Sequence, residues 1–371
     1  MATISLCMIV KNEENVLKRC LDSICDLVDE IVIVDTGSTD STKAIASSYT
    51  DNLYDFCWIN DFSAARNYSF SKCSMDYIYV ADADEYLDAE NRTQFKLLKE
   101  NLYPEIEIVQ MMYETISHDT VLNINKEYRP KLFKRLREFV WINPVHETVR
   151  LDPLVFDSDI VVTHAPEGNH AGRDLSIFEN TISSNGELSA TLIKMYATEL
   201  YRNGNYNDFT KAISFFMRTS EIPNDIISYD KIDFYEEEIY GVIIVSKWLR
   251  LGSDKRFEEF VLSVGENTEW PSELCFELGE YYLENRVYDK ASESFNRAYN
   301  NSCYLDVHSG GDNALKRIII CIEQLITQYK EYEVSHGSDL KMTNLISEYS
   351  DILRKYKIEL NNWKAPEQEV V

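Results

Sequence analysis

The carboxylates that follow one apolar segment are the residues best placed to do chemistry. Tyr77-Ile-Tyr-Val-Ala81 is β-branched and aromatic, as a buried strand is, and it runs directly into Asp82-Ala-Asp-Glu85. Three carboxylates at the carboxyl end of a buried strand would suit a hard divalent cation and the phosphates that it neutralises. An acidic turn that only caps a strand is the alternative, and for a lone Asp-x-Asp it is the commoner case. The surrounding segments favour the cation site.

Two further predicted strands also end in polar residues. Ser5–Val10 is followed by Lys11-Asn-Glu13, and Glu30–Asp35 itself ends in a carboxylate. In an open α/β sheet, ligands bind outside the carboxyl ends of the strands, so both ends should meet the Asp82–Glu85 turn at one crevice. There Asp35 could accept a hydrogen bond from a base or a ribose, or it could cap the following helix.

Alternating strand and helix signals position these residues over roughly the first 165 residues. This alternation is typical of a parallel sheet with helices on both faces, and the less regular strand signals after Glu85 indicate a mixed sheet there. Arg66 lies on a predicted helix and could pair with a diphosphate or with one of the carboxylates. The remaining predictions are helices at Glu13–Asp26, from the Thr36–Thr42 turn to about Tyr49 and at Ser63–Lys72, and strands at Tyr54–Trp58, Glu107–Tyr113, Lys131–Arg135 and Ile160–His164.

The sequence changes character near Leu175, where strand signals stop and helical periods take over. Small and aromatic residues within 278–298 fit the helical hairpin of a tetratricopeptide repeat, in which Gly279 and Ala291 would let two helices approach closely. A weaker copy of the pattern lies at Tyr196–Phe216.

These two halves predict two domains. An α/β domain with a mixed, mostly parallel sheet between helices should span residues 1–172, and an all-helical, tetratricopeptide-like domain should span 173–371. Stacked helical hairpins usually bind peptide, pair with a second copy or brace a neighbouring domain, so we expect this half to hold an acceptor peptide or to form a homodimer.

The balance of charge argues against several classes of partner. The chain has 63 acidic and 37 basic residues, a formal net charge of −26, which disfavours nucleic acid and anionic membrane surfaces. No apolar run approaches the roughly 18 residues of a membrane-spanning helix, and the apolar start at Ser5–Val10 indicates a first strand rather than a signal peptide. The eight cysteines lack metal-ligand spacing and are expected to be free thiols. We therefore expect a cytoplasmic protein.

Four motifs follow one another in the first half of the chain. They are Ile4-Ser-Leu-Cys-Met-Ile-Val-Lys-Asn-Glu-Glu14, Val28-Asp-Glu-Ile-Val-Ile-Val-Asp-Thr-Gly-Ser-Thr-Asp-Ser-Thr42, Asp61-Phe-Ser-Ala-Ala-Arg-Asn67 and Asp82-Ala-Asp-Glu85. Together they resemble bacterial family 2 glycosyltransferases of the GT-A fold, over most of residues 1–165. The most similar subgroup carries a tetratricopeptide-like tail and includes sublancin-type peptide S-glycosyltransferases, flagellin glycosyltransferases and lipopolysaccharide-core glucosyltransferases.

The resemblance implies a role for each residue that matches the family. Asp35 would contact the nucleotide base or ribose, and Arg66 would face the base or the diphosphate. Asp82 would lie on the ribose side, while Asp84 would hold a Mg²⁺ or Mn²⁺ ion between the two phosphates and His164 would complete the metal shell. The other residues of the implied nucleotide-sugar pocket are Ile9, Lys11, Glu13 and Ala83.

A second element of the family appears here as Pro144-Val-His-Glu147. Glu147 could be the general base that deprotonates an incoming hydroxyl or thiol, with His146 beside it, or the two could be a structural pair that fixes a loop. His164 could likewise be an ordinary core histidine. One departure from the family is Thr36, where many relatives have a second Asp.

The implied function is the inverting, metal-dependent transfer of a sugar from UDP-hexose or UDP-N-acetylhexosamine. The acceptor would be a Ser, Thr or Cys side chain of a peptide or protein, such as a bacteriocin or a flagellin, and transfer to lipopolysaccharide or another glycan is the alternative. A nucleotidyltransferase would typically need a glycine-rich basic loop near the N-terminus, which the sequence lacks. A non-catalytic helical-repeat scaffold would not need Arg66, Asp82 and Asp84.

Overall fold

A computed structural model shows two compact units. It describes residues 2–115, 126–137, 141–142, 148–149, 153–165, 171–223, 236–264, 270–337 and 340–365. Contacts divide the chain into Met1–Ser184 and Asn185–Val371. The boundary expected from the sequence, between residues 172 and 173, falls near the start of the last helix of the first unit, so the contacts group this helix with the sheet.

All described strands lie in the first unit. They are β1 (Ile4–Val10), β2 (Glu30–Asp35), β3 (Leu53–Asp55), β4 (Tyr77–Val80), β5 (Glu85–Tyr86), β6 (Ile108–Thr115), β7 (Lys126–Lys134), β8 (Trp141–Ile142), β9 (Thr148–Val149) and β10 (Val155–His164). Eight of them form one sheet in the order β3-β2-β1-β4-β7-β6-β10-β5, and β8 pairs with β9 in a separate sheet.

The large sheet is mixed. Strands β3, β2, β1 and β4 are parallel to one another, as are β6 and β10. Strand β7 is antiparallel to both of its neighbours, and β5 is antiparallel to β10. The mixed, mostly parallel sheet predicted from the sequence is therefore confirmed.

Helices cover the large sheet on both faces. They are α1 (Leu17–Ile24), α2 (Thr42–Ser47), α3 (Phe62–Phe70) and α4 (Ala89–Asn101), and α5 (Ala171–Asn185) follows β10 along the chain. Leu6 of β1 packs in a cluster with Leu17 of α1 and Phe95 of α4, whereas its neighbour Cys7 lies in a second cluster with Phe133. Because side chains alternate between two buried faces, β1 is apolar along its whole length except at Ser5.

Some element boundaries differ from the sequence predictions. Helix α1 begins at Leu17 rather than Glu13, and residues 14–16 form a turn in which the Leu17 amide donates to the Glu13 carbonyl at 2.9 Å. Strand β3 is only three residues long, and the sequence patterns did not predict α4 or β5. Helix α4 does begin with a cap, since the Asp88 carboxylate accepts from the Asn91 amide at 2.9 Å.

The second unit is all-helical throughout its described residues, which confirms the helical half predicted from the sequence. Its helices are α6 (Ala190–Asn203), α7 (Tyr206–Thr219), α8 (Glu236–Leu251), α9 (Phe257–Ser263), α10 (Ser272–Glu284), α11 (Tyr288–Asn300), α12 (Asp312–His336) and α13 (Leu340–Asn362). Within the described ranges, none of the helices combines the length and the apolar character that crossing a bilayer requires.

Buried carboxylates join several helices of this unit. Glu277 on α10 accepts from the Tyr201 hydroxyl at 3.0 Å and from the Arg250 guanidinium at 2.5 Å. Glu273, one turn earlier, accepts from the backbone amides of residues 304–306 at 2.9, 2.6 and 2.8 Å. Each buried carboxylate is therefore stabilised by directional hydrogen bonds from other elements of the unit.

Helices α10 and α11 form the close hairpin predicted from the sequence. A Cβ atom built on Gly279 would lie 2.6 Å from the Phe295 ring, which is closer than real Cβ atoms approach. Ala291 on the facing helix is fully buried. Glycine is therefore required at position 279 by the ring of the neighbouring helix.

This contact predicts that one substitution changes the free energy of unfolding in opposite directions, depending on the residue at position 295. Gly279→Ala should lower the free energy of unfolding by about 1–3 kcal/mol, because the added carbon must displace the Phe295 ring. In a Phe295→Ala background the same change should raise it by about 1 kcal/mol, since alanine is the better helix former. Urea unfolding of the four proteins in a double-mutant cycle measures both values. Equal effects in the two backgrounds would contradict the close approach.

Candidate active site

The carboxyl ends of four strands lie along one edge of the large sheet. Strands β1, β2 and β4 are parallel, and their register aligns Val10 with Asp35. Strand β10 points the same way, because antiparallel β7 stands between β4 and β6, and β6 is parallel to β10. The Asp82–Glu85 turn after β4 and His164 at the end of β10 therefore reach the same edge as Asp35.

Asp35 is fully buried at the end of β2. Its Oδ1 accepts hydrogen bonds from the amides of Gly37 and Ser38, both at 2.9 Å. Helix α2 begins only at Thr42, so Asp35 orders the turn after its strand and does not cap the helix. The other oxygen, Oδ2, is buried without a hydrogen-bond partner among the described residues. A buried acceptor of this kind suits an N–H or O–H donor from a ligand.

The loop after β1 is held against the turn after β2. The Thr36 amide donates to the Val10 carbonyl at 3.0 Å, and the Thr36 hydroxyl donates to the same carbonyl at 3.3 Å. The Glu13 amide donates to the Thr42 hydroxyl at 2.7 Å. Thr36 thus joins two strand ends, and Asp35 is the carboxylate offered there.

Arg66 and Asp82 face each other across the crevice. Arg66 is buried on α3, and its Nη2 lies 3.6 Å from Oδ1 of Asp82, whose side chain is 51% exposed. The guanidinium also lies 5.2 Å from the centroid of the Trp141 ring. Desolvation opposes ionisation of Asp82, but the positive charges of Arg66 and Lys131 outweigh it and lower the pKa of Asp82. Asp82 is therefore an anion at neutral pH.

Asp84 and His164 form the second contact in the crevice. Nε2 of His164 lies 3.0 Å from Oδ2 of Asp84, while Nδ1 lies 2.7 Å from the hydroxyl of Thr115, its register neighbour on β6. The Tyr113 ring stacks on the imidazole with 5.1 Å between centroids. When Nδ1 donates to Thr115, the Nε2 lone pair and the carboxylate point at each other, and a cation between them would relieve the repulsion.

This pair fits a divalent cation. Adjacent ligands of an octahedral ion with ligand distances of about 2.1 Å lie about 3.0 Å apart, which is the separation of Nε2 and Oδ2. No group of three or more His, Cys, Asp or Glu side chains able to hold a metal occurs in the described part of the chain. Asp84 and His164 would thus be the protein ligands, and phosphate oxygens and water would fill the other positions, as is usual for Mg²⁺.

Glu85 and Ala83 turn away from the crevice. Glu85 is buried, and its Oε1 lies 2.5 Å from Nζ of Lys131, which is also buried. Burial raises the pKa of Glu85, and the charge of Lys131 opposes this rise. Ala83 packs in the hydrophobic core. Of the three carboxylates expected at this edge only Asp82 and Asp84 are available to a ligand, and Ala83 can offer it only backbone atoms.

Glu13 lies among charged groups. Burial raises its pKa to about 7, and the negative charges of Asp84, Asp82 and Asp40 act in the same direction, while Arg173 of α5 opposes them. Glu13 therefore changes its charge near neutral pH, next to the carboxylates of Asp82 and Asp84.

Two other predicted site residues, Ile9 and Lys11, lie around the end of β1. Ile9 is half-buried near the end of β1, and Lys11 is exposed in the following loop. His146 and Glu147 lie outside the described residues, so the assignment of the general base stays a prediction.

Three residues that sequence reasoning missed contact or face this site. Thr115 contacts His164, and Lys131 contributes to the charge around the carboxylate turn. Arg173 faces Glu13 from the start of α5. No local pattern marks these residues, because strand register and tertiary packing bring them to the site.

The model of the family Glycosyl transferase family 2 matches residues 5–146, from β1 through β8. This chain therefore carries a glycosyltransferase family 2 domain, and the mixed sheet with its converging strand ends is the GT-A fold of that domain.

Curated proteins similar to this chain include two glycosyltransferases and one repeat protein. A TPR repeat-containing protein of Synechococcus elongatus is 48% identical over 96 residues, which are 26% of this chain and 24% of that protein. The SPbeta prophage-derived glycosyltransferase SunS of Bacillus subtilis is 30% identical over 43% of this chain and 36% of its own length. The lipopolysaccharide core biosynthesis glycosyltransferase LpsC of Rhizobium meliloti is 36% identical over 29% of this chain and 39% of its own. The chain thus spans well under half the length of each.

Glu13 predicts a pH dependence of stability in the metal-free protein. Its pKa rises from the usual 4.5 to about 7 on folding, so between these values the folded chain binds a proton that the unfolded chain has lost, and stability falls as the pH rises. Glu13→Gln should therefore raise the free energy of unfolding at pH 8 by about 1–3 kcal/mol and leave it nearly unchanged at pH 4.

Urea unfolding in EDTA at both pH values measures this difference. Glu14→Gln, a change at the exposed neighbouring carboxylate, is the matched control, and it should change the free energies of unfolding at pH 4 and pH 8 by the same amount. Identical pH profiles of the parent and Glu13→Gln would show that Glu13 titrates normally.

Proposed function

We propose that the chain is a cytoplasmic, inverting, metal-dependent glycosyltransferase. It would move a sugar from UDP-hexose or UDP-N-acetylhexosamine to a Ser, Thr or Cys side chain of a peptide or protein. The observation that carries this proposal is the Asp84–His164 pair, 3.0 Å apart, at the sheet edge that also holds Asp35 and Asp82. This edge combines a pair of side chains spaced for a cation with a buried hydrogen-bond acceptor on Asp35. A nucleotide sugar would match both, because its diphosphate binds a cation and its nucleoside carries N–H and O–H donors.

The donor would be recognised by residues from three elements. The buried Oδ2 of Asp35 would accept a hydrogen bond from the base or the ribose. Asp82, kept ionised by Arg66, would accept from the ribose hydroxyls. Arg66 would also bring its positive charge to the base or diphosphate side of the donor.

Different groups would act on the departing nucleotide diphosphate and on the attacking acceptor. When bound, a divalent cation supplies Lewis-acid stabilisation of the departing nucleotide diphosphate. Thr115 and Tyr113 would keep the His164 ring oriented. Glu147 would accept the proton of the hydroxyl or thiol that attacks the anomeric carbon, and a single displacement inverts the configuration there.

Two kinds of acceptor are candidates. The resemblance to the glycosyltransferase subgroup that includes peptide S-glycosyltransferases and flagellin glycosyltransferases supports a peptide or protein acceptor. The similarity to LpsC favours a lipopolysaccharide or another glycan as the second candidate. Transfer assays with both kinds of acceptor decide between them.

The helical unit would hold the acceptor or pair with a second copy of the chain. Its α10–α11 hairpin has the close packing of a tetratricopeptide hairpin, and one similar protein is named for such repeats. Stacked hairpins of this kind form surfaces suited to peptides and to self-association. In this division of labour the donor chemistry belongs to the first unit.

The proposal predicts that Asp84→Ala abolishes both sugar transfer and the Mn²⁺-dependent binding of UDP. The fold should remain intact, because the change also removes one of the negative charges that crowd Glu13. Thermal unfolding with a panel of nucleotide sugars and Mn²⁺ measures binding, and mass spectrometry of acceptors measures transfer. Asp51→Ala, at an exposed carboxylate in the loop before β3, should retain both.

Several results would count against this assignment. Full transfer by Asp84→Ala, or undiminished transfer by the parent chain in EDTA, would exclude the metal site. A parent chain that binds no nucleotide sugar with Mn²⁺ would favour the non-catalytic scaffold instead.

A separate prediction concerns the general base. Glu147→Gln should slow transfer by roughly 10² or more, the scale of a lost general base, with donor affinity nearly unchanged because Glu147 would face the acceptor. His146→Gln serves as the comparison. Single-turnover rates beside UDP-sugar titrations separate the two effects. A loss of donor affinity with turnover preserved at saturation would assign Glu147 to the scaffold.

A further inference from the structure

An arginine on α1 binds the main chain beside both candidate metal ligands. Nη2 of Arg19 donates to the carbonyl oxygen of Asp84 at 3.1 Å and to the carbonyl oxygen of Ala165 at 3.0 Å. Its guanidinium also lies 5.0 Å from the centroid of the Tyr86 ring. Ala165 directly follows His164, so one nitrogen atom bridges the chain segments that carry the two ligands.

Few other main-chain contacts hold these segments together. Strands β5 and β10 pair over only two positions, Tyr86 with Thr163 and Glu85 with His164. One more hydrogen bond joins the Ala165 amide to the Asp84 carbonyl at 3.1 Å. Because β5 is so short, the spacing of the two candidate ligands depends on few hydrogen bonds. The two bonds of Arg19 lie just beyond the last strand pair, Glu85 with His164, and add to them.

We infer that Arg19 is a positioning residue that holds the strand ends of Asp84 and His164 at the spacing a divalent cation needs. This inference rests on the proposed metal-dependent function. A planar guanidinium can place both protons of one nitrogen on two carbonyls while its face covers the Tyr86 ring, and a lysine ammonium cannot reproduce that geometry. Arg19→Lys therefore keeps the charge and removes the fixed bridge.

Arg92 provides a matched control from the same unit. This arginine on α4 donates to the carbonyls of Asp22 and Ser23 and pairs with the Asp26 carboxylate at 2.7 Å. It therefore also joins a helix side chain to main-chain carbonyls, but those lie at the C-terminal end of α1 and not at the carboxyl edge of the sheet. Arg92→Lys should reproduce any general loss of stability without the effect on the metal pair.

The first measurement is the affinity for Mn²⁺ alone, from the electron paramagnetic resonance signal of the free ion. Arg19→Lys and Arg19→Gln should bind Mn²⁺ about 10–100-fold more weakly than the parent, the usual effect of losing an outer partner of a metal site. Arg92→Lys should bind it as the parent does. Mn²⁺ affinity in the Arg19 variants equal to that of Arg92→Lys would overturn the inference.

The second measurement needs no metal. In EDTA, hydrogen–deuterium exchange should become faster at residues 84–86 and 163–165 in Arg19→Lys, whereas Arg92→Lys should change residues 22–26. Unchanged exchange at both strand ends in Arg19→Lys would contradict the bridge. This readout holds if Arg19→Gln is too unstable to study, since Arg19→Lys keeps the aliphatic stem and the charge.

Failure of the inference differs from failure of the proposed function. If the parent binds Mn²⁺ and Asp84→Ala does not, but Arg19→Lys binds as tightly as the parent, only the role of Arg19 is wrong. If the parent binds no Mn²⁺, or Asp84→Ala binds it equally well, the metal site itself is wrong and the inference falls with it.

Discussion

The balance of charge at one edge of the large sheet is the constraint on which the rest of the first unit depends. Carboxylates gathered in a partly buried crevice repel one another, and low local polarity strengthens the repulsion. Arg66 lies opposite Asp82, and Lys131 pairs with Glu85. Among the described residues Asp84 forms an ion contact with no lysine or arginine, only with His164. Asp84 is thus a carboxylate that no lysine or arginine of the described residues neutralises by direct contact, whereas α3 and β7 supply the cations beside Asp82 and Glu85.

Sequence reasoning predicts this site as far as its contacts are local. The ends of β1, β2 and β4 could be located because an apolar run followed by polar residues is a local pattern, and the structure places them at one edge. The contact of Thr115 with His164 instead requires knowing that β6 and β10 are neighbours in a particular register. The inward turn of Glu85 likewise depends on the buried Lys131 of β7. Helix α4 is a different case, since its capping aspartate is visible in the sequence but follows the acidic turn too closely to stand out.

The two units are stabilised in different ways. In the first unit, apolar side chains of the central strands fill two cores, one on each face of the sheet. Their packing depends on side-chain volume more than on the direction of individual hydrogen bonds. In the second, Glu273 and Glu277 are buried and bound by donors from other elements. A buried carboxylate that loses its donors is costly, so these contacts favour one arrangement of the helices over others. Helical periodicity could be predicted from the sequence, whereas the partners of these carboxylates lie far away along the chain and could not.

The parallel pairing of β6 with β10 makes the position of His164 independent of the length of the connection that precedes β10. Thr115 and His164 end neighbouring strands in register, so the location of His164 is set by this pairing and not by the length of chain between residues 115 and 155. A change in the length of that connection should therefore leave His164 beside Thr115, and the proposed cation pair at its spacing, provided that β7 still fits between β4 and β6. Natural variation or grafting in this connection would then leave the proposed donor site in place.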